Sequence, residues 1–357
     1  MPSLLMPPPS ALNQLKVDLR FSTFKAYLHA SGLDPNILDS HTTSLLAPTN
    51  GAFARLGFTN QYLLLPESRN YLRSIIQHHI VEGVLYSADI HSVPVQYPTL
   101  AAQQLSISKR SNDVFARNPK TDPGDRDHVA RTTESDILVS TGVVHAVDRI
   151  LFPPTVKITN ADLLRAINAT IMLQILAAVD EDLLTSKAER TILAPTDDAF
   201  HRVNLTRIFA DPEILAHVAR LHVILAAVKH EDDDQGHVSL KGGIRYPTLL
   251  SPQQTIMIEK SKAGRLTVQV SNRRWGENAD AHVVAFGESH TGGVVIIDCV
   301  LLIQEDILGW EGFNGWSVVF IIFKVVGSVV MMAMCVWQRG IMKNRSGYEA
   351  LRDASEV

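Results

Sequence analysis

The chain has 357 residues, enough for about two domains of ordinary size, and 46% apolar against 20% charged residues lets it build packed cores. A formal net charge of −4 supplies no basic field, which removes nucleic acid as an electrostatically driven partner. Its two cysteines, Cys299 and Cys335, form no disulfide framework and no metal-type spacing, and the redox compartment stays open.

The first sixteen residues, MPSLLMPPPSALNQLK, hold no basic region and no unbroken apolar run, so they do not read as a secretory signal. The far end of the chain calls for one. The expectation is that the true start lies upstream, with insertion directed by a later segment as the alternative.

The stretch LLAPTNGAF runs from Leu45 to Phe53. An apolar run ends at Pro48, as a strand ends. Thr49 and Asn50 suit the N-cap of a helix starting there, and Phe53 falls in its first turns, free to fill the core. The expected role of this strand-to-helix corner is structural. In YLRSIIQHHIV, Leu72, Ile75, Ile76, His79 and Ile80 share helical spacing. A lone histidine such as His79 on that face is expected to bond nearby backbone, and no second ligand stands at i+4 to hold a metal. The polar segment from Arg117 to Asp136 reads as a long insertion. GVVHAVDRILFP, with His145, reads as a buried closing strand. It is interrupted by Asp148, whose carboxylate needs a partner; backbone donors at a turn are the simplest choice.

The same landmarks then return. ILAPTDDAF repeats the corner with Pro195, Thr196, Asp197 and Phe200. VARLHVIL repeats His79 as His222, Tyr246-Pro247-Thr248-Leu249 repeats Tyr97-Pro98-Thr99-Leu100, and GGVVIIDCVLLI repeats Asp148 as Asp298. The paired landmarks keep their order at separations of 143 to 150 residues. Solenoid units run only about 20–50 residues, so a whole domain is duplicated. The expected domains are 10–154 and 156–305.

Two stretches of the second half invite chemistry. GESHTG, from Gly287 to Gly292, has Thr291 where a nucleophile elbow needs its second glycine, and reads as a loop before a strand. HEDDDQGH, from His230 to His237, lacks the spacing of a calcium loop and reads as a solvated acidic loop. No catalytic, cofactor or metal residue is assigned. Sequons at Asn168, Asn204 and Asn344 are glycan acceptors only where they lie outside the cytosol.

WSVVFIIFKVVGSVVMMAMCVW, Trp316 to Trp337, holds 22 residues with one charge, Lys324. About 20 apolar residues span a bilayer core, and tryptophans favour its interfaces. Lys324 costs roughly 2.5–3.5 kcal/mol near a helix centre, which the flanking apolar residues outweigh. Arg339, Lys343 and Arg345 follow the segment while Glu305, Asp306 and Glu311 precede it, so the tail 338–357 is expected in the cytosol and the rest outside it. A buried helix of an intracellular scaffold is the alternative.

These landmarks resemble the fasciclin-type adhesion domain, FAS1, in tandem. Leu46–Phe53 and Leu193–Phe200 match its strand-to-corner pattern. His78–Tyr86 matches its histidine and Gly-Val-Tyr turn, of which Leu221–Ile224 keeps only the start. Gly142–Leu151 matches its closing strand; the second copy, Gly293–Asp298, lacks the equivalent of His145. The resemblance implies an α+β fold, two β-sandwich wedges with packed helices. It also implies an extracytoplasmic module that binds proteins or glycans, self-association included, at the cell surface or on a vacuolar membrane, without a catalytic centre. The residue before the family's histidine is His78 in one copy and Leu221 in the other, so the receptor binding linked to that region in animal members is not carried over. An enzyme acting on cell-wall glycans would instead need paired carboxylates facing across a cleft.

Overall fold

The computed structural model describes residues 7–302 except 41, 120–128, 186–187, 228–229, 233–237, 263 and 272–279. In the first half, β1 (Thr43–Pro48), β2 (Ile80–Glu82), β3 (Val95–Pro98), β4 (Gln104–Arg110), β5 (Asp113–Arg117), β6 (Val129–Val139) and β7 (Gly142–Val147) form one sheet in the order β2-β1-β7-β6-β5-β4-β3. Only β1 and β7 pair in parallel, from Thr43↔Gly142 to Pro48↔Val147. Both read as nearly unbroken apolar runs, and both are buried along almost their whole length, as strands covered on two faces must be.

The second half repeats this topology. Its strands are β8 (Arg190–Pro195), β9 (Val223–Ile224), β10 (His230–Asp232), β11 (Val238–Leu240), β12 (Ile244–Pro247), β13 (Thr255–Lys260), β14 (Leu266–Val270), β15 (Ala281–Ser289) and β16 (Gly292–Ile297). Seven of them follow the order β9-β8-β16-β15-β14-β13-β12, with β8 and β16 in parallel. The two-stranded pair β10-β11 is an addition without a counterpart among the described residues of the first half.

Each half therefore holds one continuous sheet bent upon itself, rather than the two separate sheets of a sandwich. The ends of the strand order meet, at the bridge Val81↔Thr99 in the first copy and Ile224↔Thr248 in the second. This closure explains the repeated Tyr-Pro-Thr-Leu. Thr99 and Thr248 are each 1% exposed, and their hydroxyls donate to the carbonyls of Gln103 (2.9 Å) and Gln254 (2.8 Å). The next residues, Leu100 and Leu249, donate backbone N–H to Ile80 and Val223 on the opposite end strand. Irregularities at Thr132/Glu134 and Glu134/Ile137 in β6, and at Val283/Ala285 in β15, interrupt the ladders.

Helices cover one side of each sheet. In the first half Ser22–Ala30 and Arg69–His78 bury Phe24, Tyr27, Leu72 and Ile76; in the second Thr170–Val179 and Pro212–Leu221 bury Met172, Ile175, Leu176 and Val218. Their apolar faces join a single core cluster that runs from one half into the other. The described residues fall within one compact unit.

Three sequence expectations shift. Val129–Asp136 belongs to strand β6 and not to a polar insertion. His230–Asp232 is strand β10. GESHTG is the β15–β16 hairpin, not a loop before a strand. The segment 316–337 and the tail 338–357 lie outside the described residues, among which no helix is long and apolar enough to cross a membrane.

Candidate functional site

The corner is the first place to look for chemistry, since it is written twice. Pro48 and Pro195 close β1 and β8, and short helices follow at Asn50–Ala54 and Asp197–Phe200. Thr49 Oγ1 accepts the Ala52 N–H at 3.4 Å, and Thr196 Oγ1 accepts the Ala199 N–H at 3.2 Å, so each threonine is the N-cap. Phe53 and Phe200 are buried; the Phe53 ring stacks on Tyr27 at 4.6 Å.

The residue after each threonine serves a different helix. Asn50 Oδ1 accepts the Thr23 N–H at 3.0 Å, and Asn50 Nδ2 donates to the Leu19 carbonyl at 3.0 Å. Asp197 accepts the Ile171 N–H at 3.3 Å and the Thr170 hydroxyl at 2.7 Å. In both copies this side chain ties the corner to the start of the first long helix of its own half. The pattern Asn/Asp at that position is visible in the sequence; the helix it reaches is not.

The paired histidines are interior braces. His79 and His222 are fully buried. His79 Nδ1–H donates to the Ile75 carbonyl at 2.8 Å while Nε2 accepts the Leu151 N–H at 3.0 Å. His222 does the same with Val218 (2.7 Å) and Leu301 (3.1 Å). Each neutral ring thus clamps a helix end to the segment leaving the last strand, and spends both nitrogens. Desolvation drives the imidazoles down to about 3 for His79 and about 4 for His222. His145, 1% exposed, donates from Nε2 to the Leu85 carbonyl at 2.8 Å and accepts the Asp136 N–H at Nδ1, holding the turn after β2 against β7.

Asp148 and Asp298 complete the repeated set. Asp148 Oδ1 accepts the Arg131 N–H at 2.8 Å, and Asp298 Oδ1 accepts the His282 N–H at 2.6 Å; in return their own N–H groups donate to the carbonyls of the same two residues. Each carboxylate extends the last ladder where the strand pair ends. Replacing either by alanine is expected to lower stability by about 0.5–1.5 kcal/mol, because the backbone donor exchanges a charged acceptor for water. Urea midpoints of the single and double variants measure this, and the two losses should add.

Ser289 of GESHTG donates to Asn160 Oδ1 at 2.6 Å within the interior, and Asn160 Nδ2 donates to the Arg190 carbonyl. Its hydroxyl is committed to this pair. Among the described residues no group of three or more His, Cys, Asp or Glu side chains is arranged to hold a metal ion.

What GESHTG does build is the seam between the halves. Gly57 forms a bridge with Gly287, and the Phe58 N–H donates to the Phe286 carbonyl at 2.8 Å. The Glu288 N–H donates to Leu56, and the Thr59 hydroxyl donates to the Glu288 carbonyl at 2.7 Å. The first half thereby adds backbone to the β15 edge. Sequence reasoning missed this contact entirely.

Two stretches, residues 19–153 and 166–303, match the family profile of the Fasciclin domain. Human periostin is 28% identical over 169 residues, 47% of this chain and 19% of periostin. The Synechocystis protein sll1483 is 30% identical over 135 residues, 38% of this chain and 68% of that protein. Among solved structures, the FAS1 domain pair of the insect cell adhesion molecule fasciclin I is similar at a TM-score of 0.32 and 18% identity, covering 84% of this chain and 99% of that one. The chain spans about a fifth of periostin, 19%, so what the whole of that relative does is not transferred with the match.

Proposed function

The chain belongs to the fasciclin domain family, and from that premise we propose that it is a membrane-anchored interaction protein that binds protein or glycan partners, further copies of itself included, outside the cytosol. One observation carries binding over catalysis. Every landmark written in both halves is consumed internally: threonines cap helices, histidines and aspartates bond backbone, and phenylalanines fill the core. Recognition then falls to exposed surface that differs between the copies. The adhesive role follows what the fasciclin-type resemblance implies. Two domains held in one unit on a membrane raise the effective concentration of each for a multivalent partner.

The anchor in this reading is 316–337, with 338–357 in the cytosol and residues 10–154 and 156–305 as the paired modules. Among the described residues that line the two cavities touching the seam, Glu288 is the one carboxylate, where a glycan hydrolase uses a facing pair.

Orientation gives the test. Asn168 and Asn204 are exposed, and Asn204 also caps a helix by accepting the Arg207 N–H at 3.1 Å. Full chain expressed in microsomes should resist carbonate extraction, its domains should be protected from added protease, and glycosidase should shift it through Asn168 or Asn204. Asn168→Gln with Asn204→Gln should abolish that shift. A glycan on Asn344, or release by carbonate, would refute the topology.

A further inference from the structure

A cavity of about 190 Å³ lies between the first corner helix, the connecting segment 149–158 and the β15–β16 hairpin, so both halves and their connection contribute walls. Ligand pockets concentrate at domain interfaces and are mostly apolar, with a few polar groups that fix orientation. Among the described residues, Leu56, Leu151, Val156 and Ile158 are buried in this wall, and Ile150 and Phe152 are half-buried there. Most of the polar groups beside them are already committed. Asn118 Oδ1 accepts from His78 Nε2 at 3.0 Å, and Asn118 Nδ2 donates to the Phe152 carbonyl at 2.8 Å. Ser289 donates to Asn160, and Arg55, Arg149 and Glu288 each hold an interaction of their own.

The choice of ligand therefore rests on the apolar wall and on His290, which is exposed and so stands at the rim. Burial and then the Lys157 charge hold its imidazole below the usual range, against the pull of the Ile158 carbonyl, so the ring is neutral at pH 7. A neutral imidazole keeps one nitrogen that accepts a hydrogen bond. An apolar cavity of about 150 Å³ holds benzene, so this one takes a single ring with a small substituent. The Phe152 ring offers it an aromatic neighbour. A charged ring would leave water for a largely apolar wall, at a cost that a neutral one avoids. We propose that this interdomain cavity binds a small neutral phenol, with the ring in the apolar wall and the hydroxyl donating to the imidazole of His290. A ligand seated there touches both halves at once, so its binding stabilises the pair. This site is independent of the adhesive reading.

The test titrates methyl-labelled full chain in lipid nanodiscs with p-cresol. Toluene is the hydroxyl-free analogue, benzoate and benzylammonium are the charged rings, and empty nanodiscs correct for uptake by lipid. p-Cresol should shift the Leu56, Ile150 and Ile158 methyls along one saturable curve. It should bind about three- to tenfold more tightly than toluene, the worth of one hydrogen bond. Benzoate and benzylammonium should each bind more weakly than p-cresol. Because His290 is exposed, His290→Leu should fold normally, with an unchanged methyl spectrum away from the cavity. It should bring p-cresol down to the toluene level and leave toluene unchanged. Absence of a saturable shift, shifts confined to other methyls, equal binding of p-cresol and toluene, tighter binding of either charged ring, or a p-cresol advantage that survives His290→Leu would each overturn the site.

Discussion

Gly57→Val should cut the seam and convert one cooperative unfolding transition into two. Gly57 sits at φ +57°, and a Cβ there would lie 1.9 Å from the Phe286 carbonyl oxygen and 2.8 Å from its carbon. Those atoms are backbone of β15 and accept the Phe58 N–H, so they cannot move aside without surrendering the bridge. The facing position is as tight: a Cβ on Gly287 would come within 2.7 Å of the Phe58 ring. Left-handed backbone costs an L-residue roughly 1–2 kcal/mol, and the lost seam bonds add about 1 kcal/mol each, so a loss of about 3–5 kcal/mol is expected. Differential scanning calorimetry should show the half that starts the chain and the half that follows melting separately. Gly51→Ala is the matched control. A Cβ there meets only Thr49 Oγ1 at 3.7 Å, in a helix, so the change should stabilise by about 0.5–1 kcal/mol. A single unshifted transition in Gly57→Val would show that the seam contributes nothing.

The second large effect is acid lability. His79 and His222 are buried and neutral, with folded values near 3 and 4 against about 6.5 in the unfolded chain. Below pH 6.5 the unfolded state binds protons that the folded state refuses, so stability falls as pH falls through the window from 6.5 toward 4. The slope reaches about 1.4 kcal/mol per pH unit for each histidine, or about 5 kcal/mol for both between pH 6.5 and 4.5. His78 and His145 are lowered by the same desolvation and act in the same direction. Asp18, lowered by its bond to Arg20, acts only at still lower pH, where carboxylates protonate. Guanidinium denaturation from pH 7.5 to 4.5 measures the slope. A flat profile over that range would contradict the buried neutral rings.

Local physics made much of the architecture legible. Capping residues after a proline-ended apolar run, His79 at helical spacing and a repeat at domain length are all carried by near neighbours in the sequence. What escaped depends on distant ones. His79 meets Leu151 across 72 residues and His222 meets Leu301 across 79. Asn50 and Asp197 look like caps of the helix they begin, yet they hold another. Thr99 and Thr248 carry no local signal that they close a bent sheet. GESHTG drew attention as a near-miss of a catalytic elbow. Its glycines are explained instead by backbone approach: Gly287 lies under the Phe58 ring, and a Cβ on Gly292 would meet the Arg190 carbonyl at 2.2 Å.

At the centre of the proposed function is a pair of fasciclin domains acting as one interaction unit. The most direct measurement displays the full chain on non-adherent cells and scores aggregation and attachment to protein and glycan matrices, with Gly57→Val alongside at equal surface level. The displayed chain should promote aggregation or attachment, and Gly57→Val should lose most of it, because the two faces no longer act together. Display of folded chain that changes neither property would contradict it.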